Sequence, residues 1–160
     1  MHRSLGLILV ASLVFGAGAA NAASDSAFLK KAMEGDNSEI HLGQMAEQHG
    51  ASAGTRDFGS ALVSDHTKAK TAALPVARAH NLGDDTNMAP EAKREAAKLQ
   101  GLHGQAFDRE FARYMVKDHK KDIEDFEREA RSGDASTAAL ARQTLPDLRK
   151  HLAMAQKLAR

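Results

Sequence analysis

Apolar side chains recur every three or four positions through most of this sequence, which is the periodicity of amphipathic α-helices. Alanine, lysine, glutamate, leucine and methionine predominate, and runs of β-branched residues are absent. The pattern predicts four long helices and a short one that begins at Pro90. We place the long helices at residues 26–49, 56–80, 105–131 and 135–158.

The segments between these helices carry residues that typically end one helix and begin the next. "HGASAGT" and "NLGDDTNMAP" are rich in glycine, serine and asparagine. "SGD" combines Gly133, which favours a helix end, with Asp134, which favours an N-cap. Asp25 or Ser26 is the expected N-cap of the first helix.

Four helices of similar length predict an all-α fold, a four-helix bundle with a short extra helix in the connector between the second and third long helices. Each long helix would measure about 36 Å at about 1.5 Å per residue. Periodicity does not decide between an up-down-up-down bundle and one in which the connector, residues 82–104, crosses the length of the bundle.

Each long helix carries a side chain able to bind a metal ion on or beside its apolar stripe. These residues are Glu39, His66, His119 and His151. Because a helix advances about 100° per residue, Glu39 falls on the same stripe as Ala32 and Ala46, one heptad to either side. All four lie near the middles of their helices, so we expect them within about one turn, ~5 Å, of the same level.

An Asp-His step occurs twice inside these apolar patterns, in "LVSDHTKAKTAAL" and in "MVKDHKKDIEDFE". Neighbouring residues on a helix point about 100° apart, so Asp65 reaches a histidine on the next helix more easily than it reaches His66. Asp65 and Asp118 are therefore candidate supporting residues, and Asp122 lies on the same side of its helix as Asp118. Each could orient an imidazole or add a ligand.

Imidazole and carboxylate groups are the usual nitrogen and oxygen ligands of divalent transition metals. The four inward residues therefore predict a site for one such ion, whose identity the sequence does not specify. A metal-free polar network is the alternative, because buried polar groups need partners but not necessarily an ion. The remaining histidines beyond the N-terminal His2 are expected on the surface or in loops: His41, His49, His80 and His103.

The first 22 residues have the pattern of a cleavable signal peptide. A short basic start precedes an apolar run and the small residues Ala20-Asn21-Ala22, which predict cleavage after Ala22. Residues 23–160 would then form one domain in the periplasm or the secreted fraction, without stable membrane insertion. The chain contains no cysteine, and its net charge of +1 gives no electrostatic footprint for nucleic acid.

Four segments of the chain together resemble a known family, the domain of unknown function 4142. They are "FLKKAMEGDNSEIHLGQMA", "FGSALVSDHTKA", "GLHGQAFDREFARYMVKDH" and "LARQTLPDLRKHLAMAQKL". The resemblance covers about residues 26–158 and includes the positions of all four inward ligand candidates. It implies an exported bacterial protein with a ferritin-like four-helix bundle, and it implies no particular activity.

The chain departs from the di-iron pattern of ferritin-like bundles, in which two helices carry Glu-x-x-His. The residues three before the inward histidines are Val63, Val116 and Leu148. A single-ion site is therefore expected rather than di-iron chemistry. We expect a metal-binding or stress-related protein, with a metal-free interaction module and a redox or peroxide-handling enzyme as the alternatives. Enzymatic activity and the protein partner stay open.

Overall fold

The computed structural model describes residues 17–160, with side chains from residue 22 onward, and this part of the chain is helical without any strand. Most of the predicted signal peptide therefore lies outside the described residues. The five helices are α1 (Ala17–His49), α2 (Ala53–Ala79), α3 (Pro90–Gln100), α4 (Gly104–Ser132) and α5 (Ala135–Leu158). The all-α prediction is confirmed, including the short helix in the connector.

Local capping explains most of the helix boundaries. Ser52 caps α2 by accepting a hydrogen bond from the backbone N–H of Thr55. Asp134 caps α5 by accepting hydrogen bonds from the N–H groups of Ser136 and Thr137, as the sequence predicts. Pro90 occupies the first turn of α3. Backbone N–H groups in the first turn of a helix make no hydrogen bond within the helix, so proline, which lacks an N–H, is tolerated there.

The predicted N-cap of the first helix is wrong. Helix α1 continues back to Ala17, and Asp25, which is 3% exposed, lies within it. The preceding residues, "AGAANAAS", are mostly alanine, which has the highest helix propensity, so nothing local stops the helix at Asp25.

The hydrogen bonds at the helix ends establish the topology. The carboxylate of Asp108, near the start of α4, accepts hydrogen bonds of 2.8 Å from the N–H groups of Ala51 and Ser52, between α1 and α2. At the opposite end, Nε2 of His80 lies 3.0 Å from Oδ2 of Asp134. The start of α4 therefore lies at the same end of the bundle as the start of α2, whereas α2 finishes at the opposite end. Residues 80–103 connect the end of α2 to the start of α4, so they run the length of the bundle as a crossover.

Around the bundle, α1 packs on α2, α2 on α5, α5 on α4, and α4 on α1, while α3 covers α1 and α4. Because of the crossover, α2 and α4 run in one direction and α1 and α5 in the other. Each of the four neighbouring pairs is therefore antiparallel. None of the helices described is both long and apolar enough to cross a membrane.

The buried apolar side chains form two clusters, one toward each end of the bundle. One contains Phe58, Phe111 and Met115 and the other contains Phe28 and Leu140. The four inward polar residues lie between them, since each is preceded and followed along its helix by apolar core positions. The site is thus a polar layer between two hydrophobic clusters, which exclude water from above and below.

Candidate metal centre

Four buried side chains, one from each long helix, converge in the polar layer. The inner cluster consists of Glu39 on α1, His66 on α2, His119 on α4 and His151 on α5. One potential ligand atom from each side chain lies within 4.8 Å of the other three. Their exposed fractions are between 0% and 5%. The structure thus brings together the four residues that the sequence singled out.

Two glycines allow α1 and α2 to approach closely next to this cluster. A Cβ atom added to Gly43 would lie 2.8 Å from the carbonyl oxygen of Gly59, and one added to Gly59 would lie 2.6 Å from that of Gly43. Side chains at these positions would therefore push the helices apart. The close approach brings Oε2 of Glu39 within 3.1 Å of Nε2 of His66.

Each histidine of the inner cluster is held through its outer ring nitrogen by a hydrogen-bond acceptor. Nδ1 of His66 lies 2.9 Å from Oδ1 of Asp36, and Nδ1 of His119 lies 3.0 Å from the backbone oxygen of Met115. Nε2 of His151 lies 3.1 Å from Oδ2 of Asp65. A carbonyl or an ionised carboxylate can only accept, so each outer nitrogen carries the proton and donates it.

The inner ring nitrogens have no such partner. Within residues 22–160, Nε2 of His66, Nε2 of His119, Nδ1 of His151 and both oxygens of Glu39 are buried without a hydrogen-bond partner. Oε2 of Glu39 does lie 3.1 Å and 3.3 Å from the two Nε2 atoms, but these contacts lack hydrogen-bond geometry. Because unpaired buried polar atoms are costly, this arrangement calls for a cation or protons at its centre.

Burial and mutual charge set the protonation of the cluster. Burial raises the pKa of Glu39, but the charges of His119 and His66 outweigh it and lower the pKa to about 2. Burial lowers the pKa of His66, yet the charge of Glu39, together with the hydrogen bond and the charge of Asp36, raises it well above its usual value. Without an ion, one proton therefore rests on His66 beside an ionised Glu39.

The other two histidines are neutral at neutral pH. Burial is the main cause of the lowered pKa of His119, and burial with the charge of His66 lowers the pKa of His151 to about 4. A proton on His66 satisfies at most one contact with Glu39. It leaves the inward lone pairs of His119 and His151 unpaired, whereas one divalent ion would satisfy all four groups.

The cluster is sealed on one side and accessible on the other. The ring of Phe58 lies 6.4 Å and 6.1 Å, between ring centroids, from His119 and His151. On the open side, a cleft of about 650 Å³ reaches His66 and Asp36. A smaller cleft of about 170 Å³, between α2 and α5, reaches His66 and His151. Small ions and molecules therefore have routes to the cluster.

The predicted supporting residues have different roles in the structure. Asp65 reaches His151 on the neighbouring helix, the type of contact expected from the 100° offset, and it also pairs with Lys68 at 3.2 Å. Asp118 instead lies beside Glu39, with Asp122, as part of a second group of carboxylates.

Sequence reasoning missed two groups that orient histidines. Asp36 lies one turn before Glu39, so its position on the same face was a usable signal. The second group is the backbone oxygen of Met115, which the residue types alone do not reveal, because every residue carries a backbone carbonyl. His41, His49 and His103 are exposed, as expected.

Comparison with known proteins gives one finding. A family model described as "Domain of unknown function (DUF4142)" matches residues 12–158. No curated protein and no solved structure matches the chain.

Proposed function

The chain belongs to the DUF4142 family, and we propose that it binds one divalent transition-metal ion through the inner cluster. The observation that carries this proposal is the convergence of four buried side chains, each of which offers an atom that can donate an electron pair and has no hydrogen-bond partner in the described part of the chain. Three imidazole nitrogens and a carboxylate form a common ligand set for zinc, manganese, iron, nickel and copper.

The outer contacts of the histidines support the same proposal. Metal-bound histidines typically donate their second N–H to a carboxylate or a backbone carbonyl, which fixes the ring and its tautomer. Asp36, the backbone of Met115 and Asp65 supply one such acceptor to each ring. When bound, the ion would supply a positive charge and a Lewis-acidic centre, while these residues hold the rings in place.

The proposal includes export to the periplasm or the medium, as the N-terminal sequence pattern predicts. N-terminal sequencing of the protein recovered from its own cells tests this directly. A chain that starts at Ala23 is expected, and an intact Met1 in the functional protein would contradict export by a cleaved signal peptide.

Cobalt titration tests the metal site, because Co²⁺ bound by nitrogen ligands in a site of low coordination number absorbs visible light. We expect one equivalent of Co²⁺ per chain to produce these bands, and Zn²⁺ to displace it. His119→Ala should abolish the bands, while His41→Ala, at an exposed position on α1, should retain them. His119→Gln, which keeps the volume of the ring more closely, serves if the alanine variant does not fold.

A metal-free interaction module is the competing function, favoured by the raised pKa of His66, which supplies one proton to the cluster. It predicts no cobalt bands and no metal in the protein isolated without chelator. The elemental content of untagged protein from its native compartment therefore separates the two functions.

A further inference from the structure

A second group of carboxylates shares Glu39 with the inner cluster. Asp118 and Asp122, one turn apart on α4, each place a carboxylate oxygen within 4.8 Å of a Glu39 oxygen and of one another. Both aspartates are partly buried and line the cleft of about 650 Å³. The group therefore lies between the buried inner cluster and the solvent-accessible cleft.

Neither carboxylate oxygen of Glu39 has a hydrogen-bond partner in the described part of the chain. Oε2 makes the close approaches to His66 and His119, at 3.1 Å and 3.3 Å. Oε1 is also fully buried and has no hydrogen-bond partner in the described part of the protein. Glu39 therefore belongs to two groups of ligand candidates, the three histidines on one hand and the two aspartates on the other. A carboxylate with two unpaired oxygens and two such groups beside it has the arrangement of a bridging ligand.

The nearby side chain of Lys121 does not fill the space among the three carboxylates. The amino group of Lys121 pairs with Oδ2 of Asp125 at 3.4 Å, and its side chain is 65% exposed. Three like charges at this distance repel one another unless protons or a cation lie between them. Oxygen-only sets of this kind favour hard divalent cations, in contrast to the nitrogen-rich inner cluster.

We propose that Glu39, Asp118 and Asp122 form a second cation position, which takes a hard divalent ion such as Mn²⁺ and shares Glu39 with the ion of the inner cluster. This inference rests on the proposed function, because the first ion occupies the other oxygen of Glu39. The second ion has only carboxylate ligands from the protein and faces the cleft, so its remaining positions are open to water or a small oxygen-bearing ligand.

The sequence favoured a single ion because Glu-x-x-His pairs are missing. The second position does not depend on that pattern, since its ligands are an i and i+4 pair of aspartates on one helix and a glutamate on another. The result is an asymmetric pair of positions, one rich in nitrogen and one made of oxygen.

Manganese binding to zinc-loaded protein tests the second position by itself. Free Mn²⁺ gives a six-line electron paramagnetic resonance spectrum that weakens on binding, so bound ions can be counted after Zn²⁺ fills the inner cluster. We expect one Mn²⁺ per zinc-loaded chain. Asp122→Asn should weaken Mn²⁺ binding at least tenfold while the zinc content stays unchanged, and Glu124→Gln, at an exposed acidic residue of α4, should have no effect.

The sharing of Glu39 has its own readout. With Co²⁺ in the inner cluster in place of Zn²⁺, the spectrum of bound Mn²⁺ should broaden strongly, because two paramagnetic ions bridged by one carboxylate couple. Absence of this broadening would overturn the shared ligand.

Three results overturn the second position without touching the first: no Mn²⁺ bound to zinc-loaded protein, Mn²⁺ binding unchanged in Asp122→Asn, or equal loss in Glu124→Gln. If Asp122→Asn does not fold, Asp118→Asn gives the same test. Failure of the cobalt titration would instead overturn the proposed function itself.

Discussion

Glu39 on α1 and His119 on α4 face each other across the bundle, with 3.3 Å between the carboxylate Oε2 and the imidazole Nε2. The other nitrogen of His119 donates to the backbone oxygen of Met115, so its inward nitrogen carries a lone pair. Two electron-pair donors thus meet in a fully buried layer. Their repulsion is relieved when a cation or a proton lies between them, so this contact favours a positive charge at the centre of the inner cluster.

Metal binding should stabilise the fold, and Glu39 should be required for it. An ion that binds only the folded state at about 100 times its Kd adds about 2.7 kcal/mol to the free energy of unfolding. For a domain of this size that corresponds to a rise in Tm of several degrees. Calorimetry with Zn²⁺ and then with EDTA measures the rise. Glu39→Gln should show almost none, and an equal rise in this variant would exclude Glu39 as a ligand.

Asp65→Asn should weaken Zn²⁺ binding by about 10–100-fold, because Asp65 accepts the outer hydrogen bond of His151. The matched control is Asp147→Asn. Asp147 contacts the same Lys150 as Asp65, at 3.2 Å, but its side chain is 55% exposed, and the only hydrogen bond or ion pair of that side chain among the described residues is to that lysine. Competition with a chromogenic chelator measures both affinities. Equal losses in the two variants would assign the effect to the lysine contact instead.

Zinc binding should release about one proton per ion at neutral pH, and it should weaken as the pH falls. The pKa of His66 is raised well above its usual value, so the imidazole must lose a proton before it can ligate. Affinity therefore rises with pH until the pH exceeds the pKa of His66. His119 and His151 have lowered pKa values and already ligate in their neutral forms.

Titration calorimetry in two buffers of different ionisation enthalpy measures the released proton. If no proton is released, His66 is neutral before the ion binds. Glu39, with a pKa of about 2, contributes no proton near neutrality.

Gly59→Ala should destabilise the protein by about 1–3 kcal/mol, because the new methyl group would meet the carbonyl oxygen of Gly43 at 2.6 Å. It should also weaken metal binding, since α1 would move away from α2 and carry Glu39 with it. Urea unfolding measures the stability. Gly35→Ala on α1 is the control, because its Cβ meets nothing within 4 Å and alanine favours a helix by about 1 kcal/mol.

Local periodicity and capping in the sequence were enough to predict most of the fold. Helix α5 begins and ends where the sequence placed it, because the Asp134 cap and the apolar stripe are both local features. The early start of α1 was missed, since the alanine-rich segment before Asp25 has the helix propensity of the helix itself. In the same way, the positions of Glu39 and the three histidines on their stripes were readable from the sequence.

Only the tertiary structure decided which side chains meet between helices. The crossover between α2 and α4 fixes the neighbours of each helix, and two short connections with one long one are compatible with more than one arrangement. The rotation of each helix then selects Asp36 for His66, Asp65 for His151, and Asp122 for a place beside Glu39. Periodicity specifies which face of a helix is buried, but the partner across the bundle depends on packing between segments far apart in the chain.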